Sequence, residues 1–224
     1  MCGRFSLNTP AEVIADRFGL LSKPKWMQRY NIAPTQPVPT VRVLTGEHNR
    51  TFGLMRWGLI LPWAEDDKTG SQLISARAET ASQKPAFRSA FRQHRCLVLA
   101  DGFYEWKKLE HGGKQPYYIR RTDCEPFAFA GLWERWEGPD MEFIESCSIL
   151  TTQANELVAQ LHNRMPVILQ PKDYDLWLDQ EVQAAELVQP LLKPSPAGEL
   201  IAFPVHSVVN SPANDGPSCI EPLR

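Results

Sequence analysis

The run Met1-Cys2-Gly3-Arg4-Phe5 puts a thiol one residue from the start of the chain. Cysteine is small enough at the second position for methionine aminopeptidase to remove Met1. That would leave an α-amine and a thiol on adjacent carbons of Cys2. Such a 1,2-aminothiol takes an aldehyde first as a Schiff base and then, by closure of sulfur onto the same carbon, as a five-membered thiazolidine. The amine titrates near ~7.7–8.0 and the thiol near ~8.5, so both keep a nucleophilic fraction at neutral pH; a lysine amine near ~10.4 needs burial to match them.

Two residues have contexts suited to moving protons for such a reaction. Glu105 lies in Asp101-Gly102-Phe103-Tyr104-Glu105-Trp106-Lys107, after the apolar run 96–100. Aromatic neighbours raise a carboxyl pKa and suit it to give and take protons, although the same run also fits an exposed glutamate on an edge strand. His162 follows a helical stretch and precedes an apolar strand, a loop position beside rigid elements where catalytic groups concentrate. Taken singly, a histidine in this context is more often a satisfied structural one. Residues 29–34 (Arg-Tyr-Asn-Ile-Ala-Pro), Pro62-Trp63 and Ser75-Ala76-Arg77 add arginines for phosphates and proline and tryptophan surfaces for stacked bases, the components of a groove for single strands. Trp57 reads as core.

These groups need a scaffold, and 224 residues with 43% apolar and 22% charged content suffice for one domain with a proper core. No run approaches the ~20 apolar residues of a membrane span, and the start of the chain lacks a signal-peptide layout. The five cysteines (Cys2, Cys96, Cys124, Cys147, Cys219) form no CxxC pair, which points to a reducing cytoplasm, with Cys96 and Cys147 buried and no zinc site. Residues 1–121 hold 19 Lys and Arg against 10 Asp and Glu; residues 122–224 hold 5 against 16. A polyanion is therefore expected to meet the first half, unless the two halves simply have unequal solvated surfaces.

Thr9-Pro10-Ala11-Glu12 predicts a helix start with a threonine cap. Further helical signals begin near Lys84-Pro85 and near 155–162 and 181–192. Strand-like runs fall at 38–44, 51–57, 96–100, 116–121, 126–131, 147–152, 165–169 and 203–209. Segments 62–72 and 108–115 read as loops, and so does the tail from Pro212. With no repeat and no domain boundary, the pattern predicts a single α+β domain, 1–224, around a curved, mainly antiparallel, barrel-like sheet with short flanking helices.

The motifs Cys-Gly-Arg-Phe at 2–5, Arg-Tyr-Asn-Ile-Ala-Pro at 29–34, Arg-Trp-Gly-Leu at 56–59, Ala-Arg-Ala-Glu-Thr at 76–80, Ala-Asp-Gly-Phe-Tyr-Glu-Trp-Lys at 100–107 and His-Asn-Arg-Met-Pro at 162–166 occur in this order. Together they resemble the SRAP (SOS response-associated peptidase) family over nearly the whole chain. The resemblance implies a sensor of abasic sites in single-stranded DNA that crosslinks to the open aldehyde through Cys2, with weak lyase activity as a corollary. It implies proton transfers by Glu105, ring-opening assistance by His162, and phosphate contacts from Arg4, Arg77 and Arg164. Pro34 and Trp63 would support flanking bases, and Asn31, Trp106 and Thr151 complete the DNA-binding set. Ser75 stands in the catalytic pocket where the family usually has asparagine; a hydroxyl is shorter and offers a single donor. The family's peptidase label refers to removal of its own leading methionine. No cofactor or metal is implied, and the expected state is a cytoplasmic monomer, nucleoid-associated on damaged DNA. An N-terminal-nucleophile amidohydrolase and a non-covalent single-strand binding module are the competing readings.

Overall fold

Continuous rather than alternating apolar runs dominate the middle of the chain, and such runs belong to strands covered on both faces. The computed structural model describes residues 3–139 and 141–223. In chain order its elements are β1 (Phe5–Leu7), α1 (Ala11–Phe18), β2 (Arg29–Ile32), β3 (Pro37–Val43), β4 (Arg50–Trp57), β5 (Ser75–Arg77), α2 (Ala78–Ala81), α3 (Arg88–Gln93), β6 (Arg95–Ala100), β7 (Gly102–Lys108), β8 (Lys114–Arg121), β9 (Phe127–Glu137), β10 (Phe143–Gln153), α4 (Glu156–Ala159), β11 (Arg164–Pro166), β12 (Ile168–Leu169), α5 (Tyr174–Leu178), α6 (Ala185–Val188) and β13 (Leu200–Pro204), with short 3-10 turns between them.

Five strands close on themselves. β9 pairs with β10, β10 with β4, β4 with β3, β3 with β6, and β6 returns to β9. Every pairing in this ring is antiparallel except β10 with β4, where Ser146 is level with Arg56 and Cys147 with Trp57. Closure satisfies the backbone groups that an open edge would leave unpaired. β6 is buried along its whole length, and the Trp177 indole of α5 donates to the Cys96 carbonyl across it. The expectation of an α+β fold around a barrel-like sheet therefore holds.

A second sheet, in the order β13-β8-β7-β1-β2, lies against the barrel. Alternation along β7 decides its two faces: Phe103 joins the main core, while Tyr104 joins a smaller cluster with Tyr118, Val205, Val209 and Cys219. Phe5 pins β1 between sheet and barrel, edge-on to Trp57 at 5.1 Å and to Phe129 at 5.8 Å. Removing a buried phenyl ring of this kind destabilises by roughly 3–5 kcal/mol.

Several local expectations need correction. The α1 start has no side-chain cap, because the Thr9 hydroxyl donates to Asp101 at 2.6 Å instead; the half-buried Asp101 carboxylate also accepts from the Asn8 and Thr9 amides. The helix anticipated from Lys84-Pro85 begins only at Arg88. The run 181–192 shrinks to one turn of α-helix followed by a 3-10 turn at Gln189–Leu191. The segment 203–209 is not one strand: β13 ends at Pro204, and Ser207–Asn210 forms a 3-10 turn that folds back over Trp106. Segment 62–72 carries a 3-10 turn at Asp67–Gln72, and the tail is tied back by a bridge between Val205 and Pro222.

Candidate functional site

Strand pairing brings the start of the chain to Glu105. β1 runs antiparallel to β7 with Phe5 level with Phe103, and the Tyr104 amide donates to the Arg4 carbonyl at 2.9 Å. The same register continued sets Gly3 level with Glu105. Cys2, one residue earlier, lies outside the described residues. Glu105 is almost fully buried, and burial pushes its carboxyl pKa up to about 7. The exposed edge-strand alternative is thus overturned, because β7 is an inner strand between β1 and β8.

On the opposite face of β7, Arg4, Asn31 and Trp106 form one hydrogen-bonded group. The Arg4 guanidinium donates to Asn31 Oδ1 at 2.7 Å and to the Val209 carbonyl at 2.8 Å, and it lies 5.7 Å from the Trp106 ring centroid. Burial lowers the Arg4 pKa from its ordinary value. The Trp106 indole donates to Asn210 Oδ1 at 2.8 Å. Asn31 is fully buried, and its Nδ2 donates to the carbonyls of Val209, Ser211 and Asn214. One side chain thereby fastens the C-terminal segment over the site. Asp215 does the same from the other side, accepting from the Tyr30 and Asn31 amides and from Arg29. Gly3, Arg4, Trp106, Lys114 and Asn210 frame an open depression of about 510 Å³ here.

A second group forms where β5 and β11 flank β10. Ile149, Leu150 and Thr151 pair in parallel with Ser75, Ala76 and Arg77, and Thr151 to Gln153 pair antiparallel with Arg164 to Pro166. Arg164 makes a two-pronged ion pair with Glu79 at 2.7 and 2.9 Å and also donates to Thr151. That pairing lowers the Glu79 pKa. His162 Nδ1 lies 3.0 Å from the Arg164 amide nitrogen and 3.2 Å from the Arg164 carbonyl oxygen, which anchors the ring to the start of β11. Burial lowers the His162 pKa, favouring the neutral form. Ser75 is half-buried and Arg77 exposed.

Pro34 and Trp63 sit in neither group. Pro34 occupies the turn after β2, and the Thr35 amide next to it donates to the Trp57 carbonyl at the end of β4. Trp63 is 61% exposed beyond that strand end. Glu79 pairs with Arg164, and Lys114 and Asn210 line the depression at Arg4; none of the three is singled out by the sequence. Glu79 stood inside a quoted motif, whereas nothing local marks Lys114 or Asn210. Among the described residues, no group of three or more His, Cys, Asp or Glu side chains could hold a metal ion, and no helix is long and apolar enough to cross a membrane.

Known proteins resemble this chain along its whole length. An "Abasic site processing protein YoqW" of Bacillus subtilis is 42% identical, covering 99% of this chain and 99% of its own length. An "Abasic site processing protein HMCES" of Gallus gallus is 33% identical over 100% of this chain and 78% of its own length. A crystal structure of a Bacteroides thetaiotaomicron protein superposes with a TM-score of 0.87 at 26% identity, each chain covered in full. The family model described as SOS response associated peptidase matches residues 1–212, and the chain belongs to this SRAP family.

Proposed function

We propose that this protein processes abasic sites, capturing the open aldehyde of the lesion in single-stranded DNA through Cys2 once Met1 has been removed. The names of the relatives support the substrate. The observation that carries the chemistry is the β1–β7 pairing, which runs the first residues of the chain beside a buried carboxyl of pKa about 7.

In this reading the Cys2 amine adds to the aldehyde carbon and gives a carbinolamine. A proton delivered to the hydroxyl lets it leave as water, and an imine remains. The thiolate then forms the C–S bond while nitrogen takes the displaced electron pair and a proton, so the net change is loss of one water. A group with a pKa near neutrality both gives and takes these protons, the role assigned to Glu105. His162, favoured in its neutral form, exchanges a proton with the sugar oxygen as the hemiacetal opens. Arg4, Arg77 and Arg164 hold phosphates, with Thr151 fixing Arg164 and Trp106 lying against Arg4. Asn31 holds Arg4 and the C-terminal segment in place. Ser75 offers a hydroxyl to the nascent linkage, and Pro34 and Trp63 support flanking bases. The imine also permits β-elimination, so slow strand scission accompanies capture.

The test mixes protein, shown by mass spectrometry to start at Cys2, with a single-stranded oligonucleotide carrying one abasic site. Products are run on a denaturing gel. A shifted band that requires both the lesion and Cys2 is expected, and Cys2→Ala should retain some scission while forming no stable adduct. Absence of any adduct from the processed wild-type protein would sink this reading and favour an amidohydrolase with Cys2 as nucleophile.

A further inference from the structure

The sequence from Thr80 to Ala100 contains no Asp or Glu, yet it carries Lys84, Arg88, Arg92 and Arg95. Arg95 is occupied: it is buried and donates to the carbonyls of Trp177, Phe91 and Arg92. Arg88 and Arg92 are different. Both are exposed on α3, and among the described residues neither guanidinium enters an ion pair. Four residues apart on a helix, they lie on one side about 6 Å apart along the axis. They line a depression of about 700 Å³ together with Trp63, Pro85, Ser89 and Gln93. Of the acids in the Trp63 loop, Asp67 pairs with Arg56 and Asp66 with Lys68, and Glu65 is exposed to solvent. The α3 segment is also continuous in sequence with β5 and α2, which carry Arg77 and Glu79 of the second group.

Resting on the abasic-site reading, we propose that this depression is a subsite for the single strand flanking the lesion. One base stacks on Trp63, and the next two phosphates are held by Arg88 and Arg92. The subsite makes capture depend on the length of DNA on one side of the lesion. It also adds an electrostatic contribution to affinity that the groups around Glu105 and His162 do not supply.

The experiment compares wild type, Arg88→Ala/Arg92→Ala and Arg88→Lys/Arg92→Lys. Binding of an intact fluorescent single strand is followed by anisotropy from 50 to 200 mM salt, and crosslinking is measured on abasic oligonucleotides with long or trimmed flanks. Two phosphate contacts contribute a slope of about −1.4 in log affinity against log salt. Over that four-fold rise wild type should lose affinity about 7-fold more than the alanine variant. The lysine variant should restore the slope. Crosslinking of the trimmed oligonucleotide should be equal for wild type and the alanine variant, since the reacting groups are untouched. An unchanged salt slope and unchanged long-flank rate in a folded alanine variant would overturn the subsite while leaving abasic capture standing. No crosslink from processed wild type on any oligonucleotide would overturn the abasic reading and this inference with it.

Discussion

Keeping the Glu105 carboxyl out of water raises its pKa from an ordinary 4.5 to about 7, and this has a thermodynamic consequence separate from catalysis. The native state holds its proton more tightly than the unfolded chain does. Stability from this group is therefore fully present below pH 4.5, falls as pH rises toward 7, and levels off above it. The whole loss is on the order of 3 kcal/mol, from 1.36 kcal/mol per pKa unit. Glu105→Gln removes the ionisation while keeping the shape. In urea unfolding at pH 5 and pH 8, the wild type should lose up to about 3 kcal/mol more than the variant between the two values. The same variant should abolish the inflection near pH 7 in the rate of abasic-site capture. A wild type whose stability is no more pH-dependent than the variant's would show that Glu105 ionises freely in the folded protein. Such a stability deficit at a working residue is a familiar trade-off.

At the scale of the elements, the close approach of β7 and β8 depends on Gly102. A Cβ there would fall inside contact distance of the Tyr118 ring, whose hydroxyl is tied to Ser6 Oγ at 2.7 Å. Gly102→Ala should therefore push β8 away from β1 and destabilise by roughly 1–3 kcal/mol, measured by denaturant unfolding. An unchanged midpoint would mean that Tyr118 moves aside freely. The sequence did reveal this corner, since Asp-Gly marks a sharp bend, and the chain passes there from the barrel strand β6 to β7 of the second sheet. The strands of the barrel were legible too, because strand-like runs such as 96–100 and 126–131 carry their own signal. The strands that hold the site were not. β1, β2 and β5 have three or four residues each, too few to show a period, and their conformation is decided by partners far along the chain. Ser75–Arg77 becomes a strand only because β10 offers it an edge. The candidate residues Glu105, His162, Arg4 and Arg164 could be picked out by motif. Their division between two faces and two groups could not, since it follows from register.

For the molecule as a whole, folding brings part of the basic first half against the acidic second half. β9 and β10 belong to the second half but complete the barrel begun by β3, β4 and β6. The excess charges meet across this boundary: Arg29 with Asp215, Arg42 with Glu145, Arg50 with Asp175, and Arg121 with Glu199. Part of the charge imbalance along the sequence thus becomes a set of cross-links between distant segments, while exposed cations such as Arg88 and Arg92 enter no ion pair among the described residues. Interleaving of this kind makes one cooperative unit. The fragment 1–121 should remain unfolded by far-UV circular dichroism, and the full chain should unfold with equal calorimetric and van't Hoff enthalpies. A folded fragment would contradict the shared barrel.

The bond from Arg4 to the Val209 carbonyl joins residues separated by 205 positions. At a synthesis rate of about 5–20 residues per second, the start of the chain emerges roughly 10–40 s before the segment that closes over it exists. During that interval Arg4 lacks its Val209 partner, and only afterwards is the C-terminal segment fastened by Asn31 and Asp215. Fastening of this end of β1 is therefore a matter of translation timing.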